Sequence, residues 1–224
     1  MPRSSQLILG LLNGIDDKVI KAHIVGLESK AKKMEVPSET CLIELMGTDS
    51  SLEDYWARIN EAAKKVGVKD KARLYIHGHG DCNSQTIASF PAAIVAGLVA
   101  PALKKYPFST VSITACEMAR DKGASGSVRV SNSADSFAWH FCEILHDKYE
   151  VTIDVYARVY DVAPDVIGSS PGKKKTGIGQ TLDWKYHREQ SKVLFRYENG
   201  KLKRYWANYA LGVYDVPELW DEVS

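Results

Sequence analysis

The sequence predicts an α/β fold with a mainly parallel central sheet, helices on both faces and a C-terminal β-hairpin extension. Apolar segments of strand length alternate with longer segments whose apolar residues recur at helical spacing. This alternation is typical of right-handed crossovers, which make neighbouring strands parallel. Near the C-terminus, two strand-like segments flank Asn199-Gly200, a dipeptide that favours the tight turn of a hairpin.

The N-terminal part predicts a strand, a helix and a second strand. Gln6 to Leu12 is an apolar segment of strand length and predicts a buried strand. From Asp16 to Lys33 the apolar residues recur at helical spacing, and this helix is expected to stop before Pro37 because a residue before proline disfavours helical backbone. Cys41 to Met46 predicts the second strand.

The next two elements lead to the first candidate site residues. Ser50 and Glu53 have the spacing of a capping box, so a helix is expected to begin after Ser50. Arg73 to Ile76 predicts the third strand. That strand runs into the segment His-Gly-His-Gly-Asp at residues 77–81.

The following elements surround the second candidate. Ala92 to Tyr106 predicts a buried helix, with Pro101 as the place where it would bend. Thr110 to Thr114 predicts the fourth strand, which runs into Ala-Cys-Glu. Ser133 to Tyr149 predicts an amphipathic helix, and Val151 to Val162 predicts a fifth strand or two short ones.

The chain is interpreted as one domain with two parts. Residues 1–162 form the α/β core. Residues 163–224 add a basic loop and the hairpin, with strands at Val193 to Tyr197 and Leu202 to Trp206.

Two long polar loops interrupt the pattern, at Glu117 to Asn132 and at Ala163 to Gln180. Loops of such length are often functional.

Composition narrows the class of protein. Of 224 residues, 45% are hydrophobic and 25% charged, which is typical of a soluble globular domain. Four cysteines without a CxxC pair favour neither a disulfide framework nor structural zinc, so we expect reduced thiols and a cytoplasmic working environment. No segment reaches the roughly 20 apolar residues of a membrane span, and no classical signal peptide is recognised.

The residues whose side chains could take part in a reaction lie at two strand ends. In an open parallel sheet, ligands bind beyond the carboxyl ends of the strands, where His79 and Cys116 are expected. A thiol beside an imidazole makes a nucleophile, because the imidazole takes the thiol proton and later protonates the leaving amine. The backbone N–H groups of Gly80 and Cys116 could bind a developing oxyanion. Cys82, close in sequence to His79, is interpreted as a loop residue, with a second thiol at the site as the alternative.

Residues 74–81 and 111–117 together resemble the paired signature of caspases, legumains, clostripain and gingipains: an apolar strand followed by His-Gly, and another followed by Ala-Cys-Glu. The likeness extends over roughly residues 1–162. It implies a cysteine peptidase with Cys116 as the nucleophile, a histidine before glycine as the base, an acyl-thioester intermediate, and a protein or peptide substrate. Both His77 and His79 precede glycine.

Gly78-His79-Gly80 also resembles the self-cleaving protease domains of large secreted bacterial toxins, which favours His79 as the base and leaves His77 as the alternative. The Glu117 to Asn132 loop follows the nucleophile directly, as the processed linker does in caspases, and this resemblance makes the loop a candidate site of autocleavage. The toxin likeness also implies activation by inositol hexakisphosphate, with no other cofactor required. Action inside the producing cell and export as an effector without a classical signal peptide both stay open.

A basic region near the C-terminus is the candidate site for such a polyanion. The segment from Pro171 to Trp206 contains ten Lys and Arg residues but only three acidic residues. The alternative is a solvated hairpin face. No nucleic-acid-binding module is recognised. The candidate polyanion ligands are Lys173, Lys174, Lys175, Lys185, Arg188, Arg196, Lys203 and Arg204.

Two other functions stay open at this point. A caspase-like scaffold without a working dyad would bind a partner instead of cleaving it. The segment His77-x-His79-x-Asp81 resembles part of the zinc motif of metallo-β-lactamases. The alternating strand–helix order fits that β-rich fold poorly, so no metal is expected.

Overall fold

The computed structural model of the chain describes residues 4–14, 16–44, 51–122, 134–158, 161–164, 174–177, 192–206 and 221–222. Within these residues the helices are α1 (Lys18–Lys33), α2 (Leu52–Val66), α3 (Ala92–Lys105) and α4 (Phe137–Tyr149). The strands are β1 (Gln6–Leu12), β2 (Ser38–Glu44), β3 (Ala72–His77), β4 (Gly80–Asp81), β5 (Thr86–Ile87), β6 (Phe90–Pro91), β7 (Phe108–Ile113), β8 (Asp154–Arg158), β9 (Asp161–Pro164), β10 (Lys174–Gly177), β11 (Lys192–Glu198), β12 (Lys201–Trp206) and β13 (Asp221–Glu222).

The central sheet is mainly parallel, as predicted. Its described strands lie in the order β2-β1-β3-β7-β8-β11-β12-β13. The first five pair in parallel and the last three in antiparallel fashion. The predicted hairpin is β11 and β12, and Asn199 at its turn has the positive φ of 52° that this tight turn needs.

Helices cover both faces of the sheet because the apolar side chains of β1 alternate between them. Leu7, Leu9 and Leu11 point into the larger core, which includes apolar residues of α2, α3 and α4. Ile8 and Leu12 point to the other face, where they pack against α1. The helix α1 therefore lies alone on its side among the described helices. The predicted layers are confirmed.

The capping box at α2 lies one residue later than predicted. Ser51, not Ser50, accepts a hydrogen bond from the Asp54 backbone, and the Asp54 carboxylate accepts one from the Ser51 backbone. Asp54, not Glu53, completes the box. The helix begins at Leu52, and Ser50 lies outside the described residues.

Several element bounds differ from the sequence prediction. β2 and β7 begin earlier than predicted. Of the two alternatives predicted for residues 151–162, one strand or two short ones, the structure has two strands, β8 and β9. β10 lies in the stretch predicted as a polar loop and pairs with β9. The short strands β4, β5 and β6 form a three-stranded sheet between β3 and α3 that the sequence did not predict. Two-residue strands are too short to carry a periodic pattern.

In the described part of the chain, none of the helices combines the length and apolar character needed to cross a membrane.

Candidate active site

The ends of β3 and β7 bring the two candidate catalytic residues to one edge of the sheet. Ile76 pairs with Ile113 in the parallel register, and the Thr114 N–H donates to the Ile76 carbonyl 2.8 Å away. His79 and Cys116 each lie three residues beyond that pair. Equal distances past a parallel pair place both residues at the carboxyl edge, where the sequence predicted a site.

Gly80 lies directly against the backbone of Cys116. A Cβ atom added at Gly80 would lie 2.7 Å from the Cys116 nitrogen and closer still to its carbonyl oxygen. Only glycine permits this approach without displacing backbone. The contact brings the segment that carries His79 next to the segment that carries Cys116.

His79 has a carboxylate partner that the sequence analysis missed. Its Nε2 lies 3.3 Å from Oδ1 of Asp17, whose side chain is only 7% exposed, whereas the His79 side chain is 45% exposed. Because a carboxylate only accepts, Nε2 donates and Nδ1 is left as the acceptor of the neutral ring. Asp17 also caps α1 by accepting from the Ile20 N–H, so the start of α1 and the site share one carboxylate.

The alternative base, His77, lies in the protein interior. It is 3% exposed, and its Nδ1 donates to the Thr114 carbonyl at 2.6 Å, with the Thr114 hydroxyl 2.9 Å away. Its ring also lies 5.3 Å from the ring of His23 in α1. Burial, and next the neighbouring His79, lower the pKa of His23, and Asp17 acts in the opposite direction.

The segment that resembles a zinc motif is not gathered around a common centre. His77 binds Thr114 and His79 binds Asp17. The Asp81 carboxylate accepts from the Asn83 backbone and the Ser84 hydroxyl in its own turn. Among the described residues, no group of three or more potential ligands is arranged to hold a metal.

A protein-family model covers this part of the chain. The model of the peptidase C80 family matches residues 31–176, which is well over half of the chain and includes both His79 and Cys116. The chain belongs to the peptidase C80 family. This agrees with the sequence resemblance, since the family is one of caspase-like cysteine peptidases of bacterial toxins.

No curated protein matches the sequence. Solved structures similar to this C80 family member include three sugar-nucleotide enzymes from Campylobacter jejuni, each with a TM-score of 0.37. A GDP-D-glycero-L-gluco-heptose synthase is 10% identical over 69% of this chain and 47% of its own. A GDP-6-OMe-4-keto-L-xylo-heptose reductase is 11% identical over 72% and 47%, and a GDP-mannoheptose C4 reductase is 10% identical over 72% and 48%. This chain thus spans about half the length of these enzymes.

The thiols of this C80 family member differ in environment. Cys41, Cys82 and Cys142 are buried, and Cys116 is partly exposed. Burial raises the pKa of Cys41 to about 11, and burial followed by the Glu117 hydrogen bond raises the pKa of Cys82 to about 12. Burial also raises the pKa of Cys142 far above its ordinary value. Cys82 lies in the turn between β4 and β5, as interpreted, and its side chain is fully buried beside Glu117.

The candidate polyanion ligands do not all share one face. Arg196 makes a bidentate ion pair with Asp154, with distances of 2.8 and 2.6 Å, and lies opposite Lys203 in the hairpin register. Arg204 instead lies opposite Phe195 and stacks over Trp139 of α4, on the other face of the sheet. Lys174 and Lys175 belong to β10. Lys173, Lys185 and Arg188 lie outside the described residues.

Two further cations lie on the same face as Arg196. The guanidinium of Arg73 lies 5.5 Å from the ring centroid of Tyr156, and the ammonium of Lys192 lies 4.4 Å from it. Tyr156 pairs with Leu194, two residues before Arg196, so these side chains project to one side. The charge count stopped at the C-terminal region and could not include Arg73, which comes from β3.

Proposed function

We propose that the chain is a cysteine endopeptidase in which Cys116 is the nucleophile and His79 the acid/base. One observation carries the proposal: His79 and Cys116 lie three residues past paired positions of neighbouring parallel strands, with Gly80 packed on the Cys116 backbone. Membership of the C80 family supports the reaction class.

The proposed reaction has two halves. The Cys116 thiol gives its proton to Nδ1 of His79, and the sulfur attacks the scissile carbonyl to form a tetrahedral oxyanion. The backbone N–H groups of Gly80 and Cys116 stabilise that oxyanion. As it collapses, the C–N bond breaks, His79 protonates the leaving amine, and an acyl-thioester remains. Water, deprotonated by His79, then releases the acid and restores the thiol.

The environment of the two histidines supports His79 over His77 as the base. The His79 side chain is half-exposed to solvent, and its Nε2 is oriented by Asp17. The Nδ1 of His77 is committed to the carbonyl of Thr114 in a buried position, which suits a structural role at the strand ends.

The test begins with a proteome-derived peptide library digested under reducing conditions, with cleavage sites read by mass spectrometry. Wild-type protein is expected to cut at a shared sequence, while Cys116→Ala and His79→Ala leave the library intact and keep the wild-type unfolding temperature. Full activity in Cys116→Ala would end the proposal. A folded wild-type protein that cuts nothing, and whose Cys116 is no more reactive than the other thiols, would favour the binding scaffold.

We further propose that the chain cleaves itself in the Glu117 to Asn132 loop, which follows the nucleophile directly; residues 123–132 of it lie outside the described residues. Intact-mass measurement of wild-type protein over time, with Cys116→Ala as the control, tests this. Two fragments that join at this loop are expected from the wild type alone. A chain that stays whole while it digests peptides would contradict autocleavage but not the peptidase.

We also propose that a polyanion such as inositol hexakisphosphate activates the enzyme by binding the sheet face formed by Arg73, Lys192, Arg196 and Lys203. Clustered Arg and Lys side chains give strong charge-assisted hydrogen bonds to phosphate. Those four side chains come from β3, β11 and β12, so one ligand would connect the parallel core with the hairpin. Arg204 lies on the opposite face and is left out.

Calorimetric titration with inositol hexakisphosphate in reducing buffer tests that proposal. Binding, a higher unfolding temperature and faster turnover are expected for wild type. Lys192→Ala should weaken binding about tenfold, and Arg204→Gln should not, because its side chain packs on Trp139. No heat and no thermal shift would remove the activator and leave the peptidase proposal intact.

The reduced thiols favour work in a cytoplasmic environment, in the producing cell or in another cell after export. Turnover is expected to need a reductant. Unchanged turnover under oxidising conditions that convert Cys116 to a disulfide with glutathione would contradict the thiol mechanism.

A further inference from the structure

A polar cluster next to Cys116, formed by Cys82, Glu117 and Arg120, is not used by the proposed mechanism. The Cys82 thiol donates to Oε2 of Glu117 at 3.0 Å, and the Arg120 guanidinium donates to Oε1 of the same carboxylate. Cys82 is fully buried and Arg120 is 6% exposed. Both carboxylate oxygens of Glu117 therefore have a buried donor, and the Glu117 side chain itself is 23% exposed. Hydrogen bonds to such partly buried groups are stronger than those in water.

The cluster connects two segments that meet at the site. Gln85, between β4 and β5, donates through Nε2 to the carbonyls of both Cys82 and Arg120, at 2.6 and 3.0 Å. The segment before Cys82 carries His79 and Gly80, and the segment before Arg120 carries Cys116. The cluster thus fixes the loop after β3 against the loop after β7.

The backbone at Glu117 is in an unusual conformation. Its φ is 57°, in the left-handed region that residues other than glycine rarely adopt. Such a conformation persists where the surroundings hold it. Here Cys82 and Arg120 hold the side chain of Glu117, the residue that follows Cys116. The φ angle of Glu117 sets the direction of the peptide group that joins Cys116 to Glu117.

We propose that Glu117 is a positioning residue whose carboxylate, held between Cys82 and Arg120, keeps the Cys116 backbone in the orientation that an oxyanion hole requires. This inference rests on the proposed peptidase function, since it concerns the same site. In this proposal Cys82 and Arg120 act through the Glu117 carboxylate and do not contact substrate.

Positioning of the Cys116 backbone differs from activation of the Cys116 thiol, and two reactions of Cys116 distinguish these roles. Hydrolysis of a peptide forms an oxyanion and needs the backbone donors. Alkylation of Cys116 by iodoacetamide displaces iodide at a saturated carbon, so it needs a thiolate but no oxyanion hole. Loss of positioning therefore slows hydrolysis and leaves alkylation nearly unchanged.

The experiment compares Cys82→Ala, Cys82→Ser and Glu117→Gln with wild type. Turnover is followed with a fluorogenic peptide of the sequence preferred in the library, and alkylation of Cys116 by mass spectrometry. Cys82→Ala and Glu117→Gln are expected to lower kcat by about ten- to a hundredfold with KM changed less than about threefold, because misplaced donors act on the transition state. Cys82→Ser retains a donor and should recover most of that loss.

Cys41→Ala is the matched control for stability. Cys41 is another buried thiol, placed on β2 away from the two strand ends, so its removal costs similar packing without touching the cluster. Its kcat should equal that of wild type at a similar loss of unfolding temperature.

Three results would overturn the inference: wild-type kcat in both Cys82→Ala and Glu117→Gln, an equal kcat loss in Cys41→Ala, or alkylation that falls in step with kcat. Each of these leaves the peptidase standing if Cys116→Ala is inactive. Activity in Cys116→Ala would instead reject the proposed function itself.

Discussion

The Nε2 atom of His79 lies 3.3 Å from Oδ1 of Asp17, a largely buried carboxylate that caps the N-terminus of helix α1. A carboxylate in this position orients the imidazole and stabilises the imidazolium that forms when the thiol is deprotonated. The relation turns a pair of residues into a candidate Cys116–His79–Asp17 series, with members from three loops at one edge of the sheet.

We expect Asp17→Asn to lower kcat by at least about tenfold with little change in the unfolding temperature. Asparagine caps helices about as well as aspartate, so α1 keeps its start while the negative charge beside His79 is lost. Asp17→Ala should lose both, with about 1 kcal/mol of stability as well. Peptide turnover and thermal unfolding check this. Full turnover in Asp17→Asn would reduce Asp17 to a helix cap.

Gly80→Ala is expected to lower turnover by about a hundredfold or more and to destabilise the protein by about 1–3 kcal/mol, the usual range for overpacking. The added Cβ would meet the Cys116 backbone, which cannot turn away as a flexible side chain could. Gly14→Ala is the control, since a Cβ there meets nothing closer than 4.0 Å. Equal behaviour of the two variants in turnover and urea unfolding would contradict the close packing.

Native thiol labelling should select Cys116. At pH 8 iodoacetamide is expected to modify Cys116 at least about tenfold faster than Cys41, Cys82 or Cys142, because burial raises the pKa of each of those three thiols and covers them. Peptide mapping at several times measures the rates, and labelling in urea should reach all four. Rapid native labelling of Cys82 would show that the loop behind the nucleophile opens.

The strand ends of the site could be predicted from the sequence, but the partners of the catalytic candidates could not. Apolar segments followed by His-Gly and by Ala-Cys-Glu locate His79 and Cys116, since strand order and parallel pairing follow from the alternating pattern. Asp17 could have been found only as a helix N-cap. Its distance from His79 depends on how the crossover after β1 places the start of α1 against the end of β3.

The errors in the prediction have related causes. Ser50 and Ser51 are adjacent, as are Glu53 and Asp54, so the capping pattern fits two frames and only packing of α2 selects one. Counting charges grouped Arg204 with Arg196, although alternation along a paired strand separates them. If the hairpin register had been predicted before the Lys and Arg residues were counted, they would have been divided between the two faces of the sheet.

Burial of His23 predicts a particular loss of stability in acid. Its folded-state pKa lies below the ordinary value of 6.5, so the unfolded chain binds more protons as the pH falls through 6.5. The free energy that His23 contributes is therefore present above that pH and decreases below it, toward the folded-state pKa. His23→Phe keeps a ring beside His77 and removes the titration.

Urea unfolding at pH 7.5, 6.5 and 5.5 measures the effect in wild type and in His23→Phe. The free energy of unfolding should fall less steeply with decreasing pH in the variant, since one group no longer takes up a proton on unfolding. His146→Phe is the control, because His146 lies on α4 against Tyr197 and away from Asp17 and His79. If His23→Phe and wild type show the same slope while both unfold in one cooperative step, His23 does not remain neutral in the folded protein.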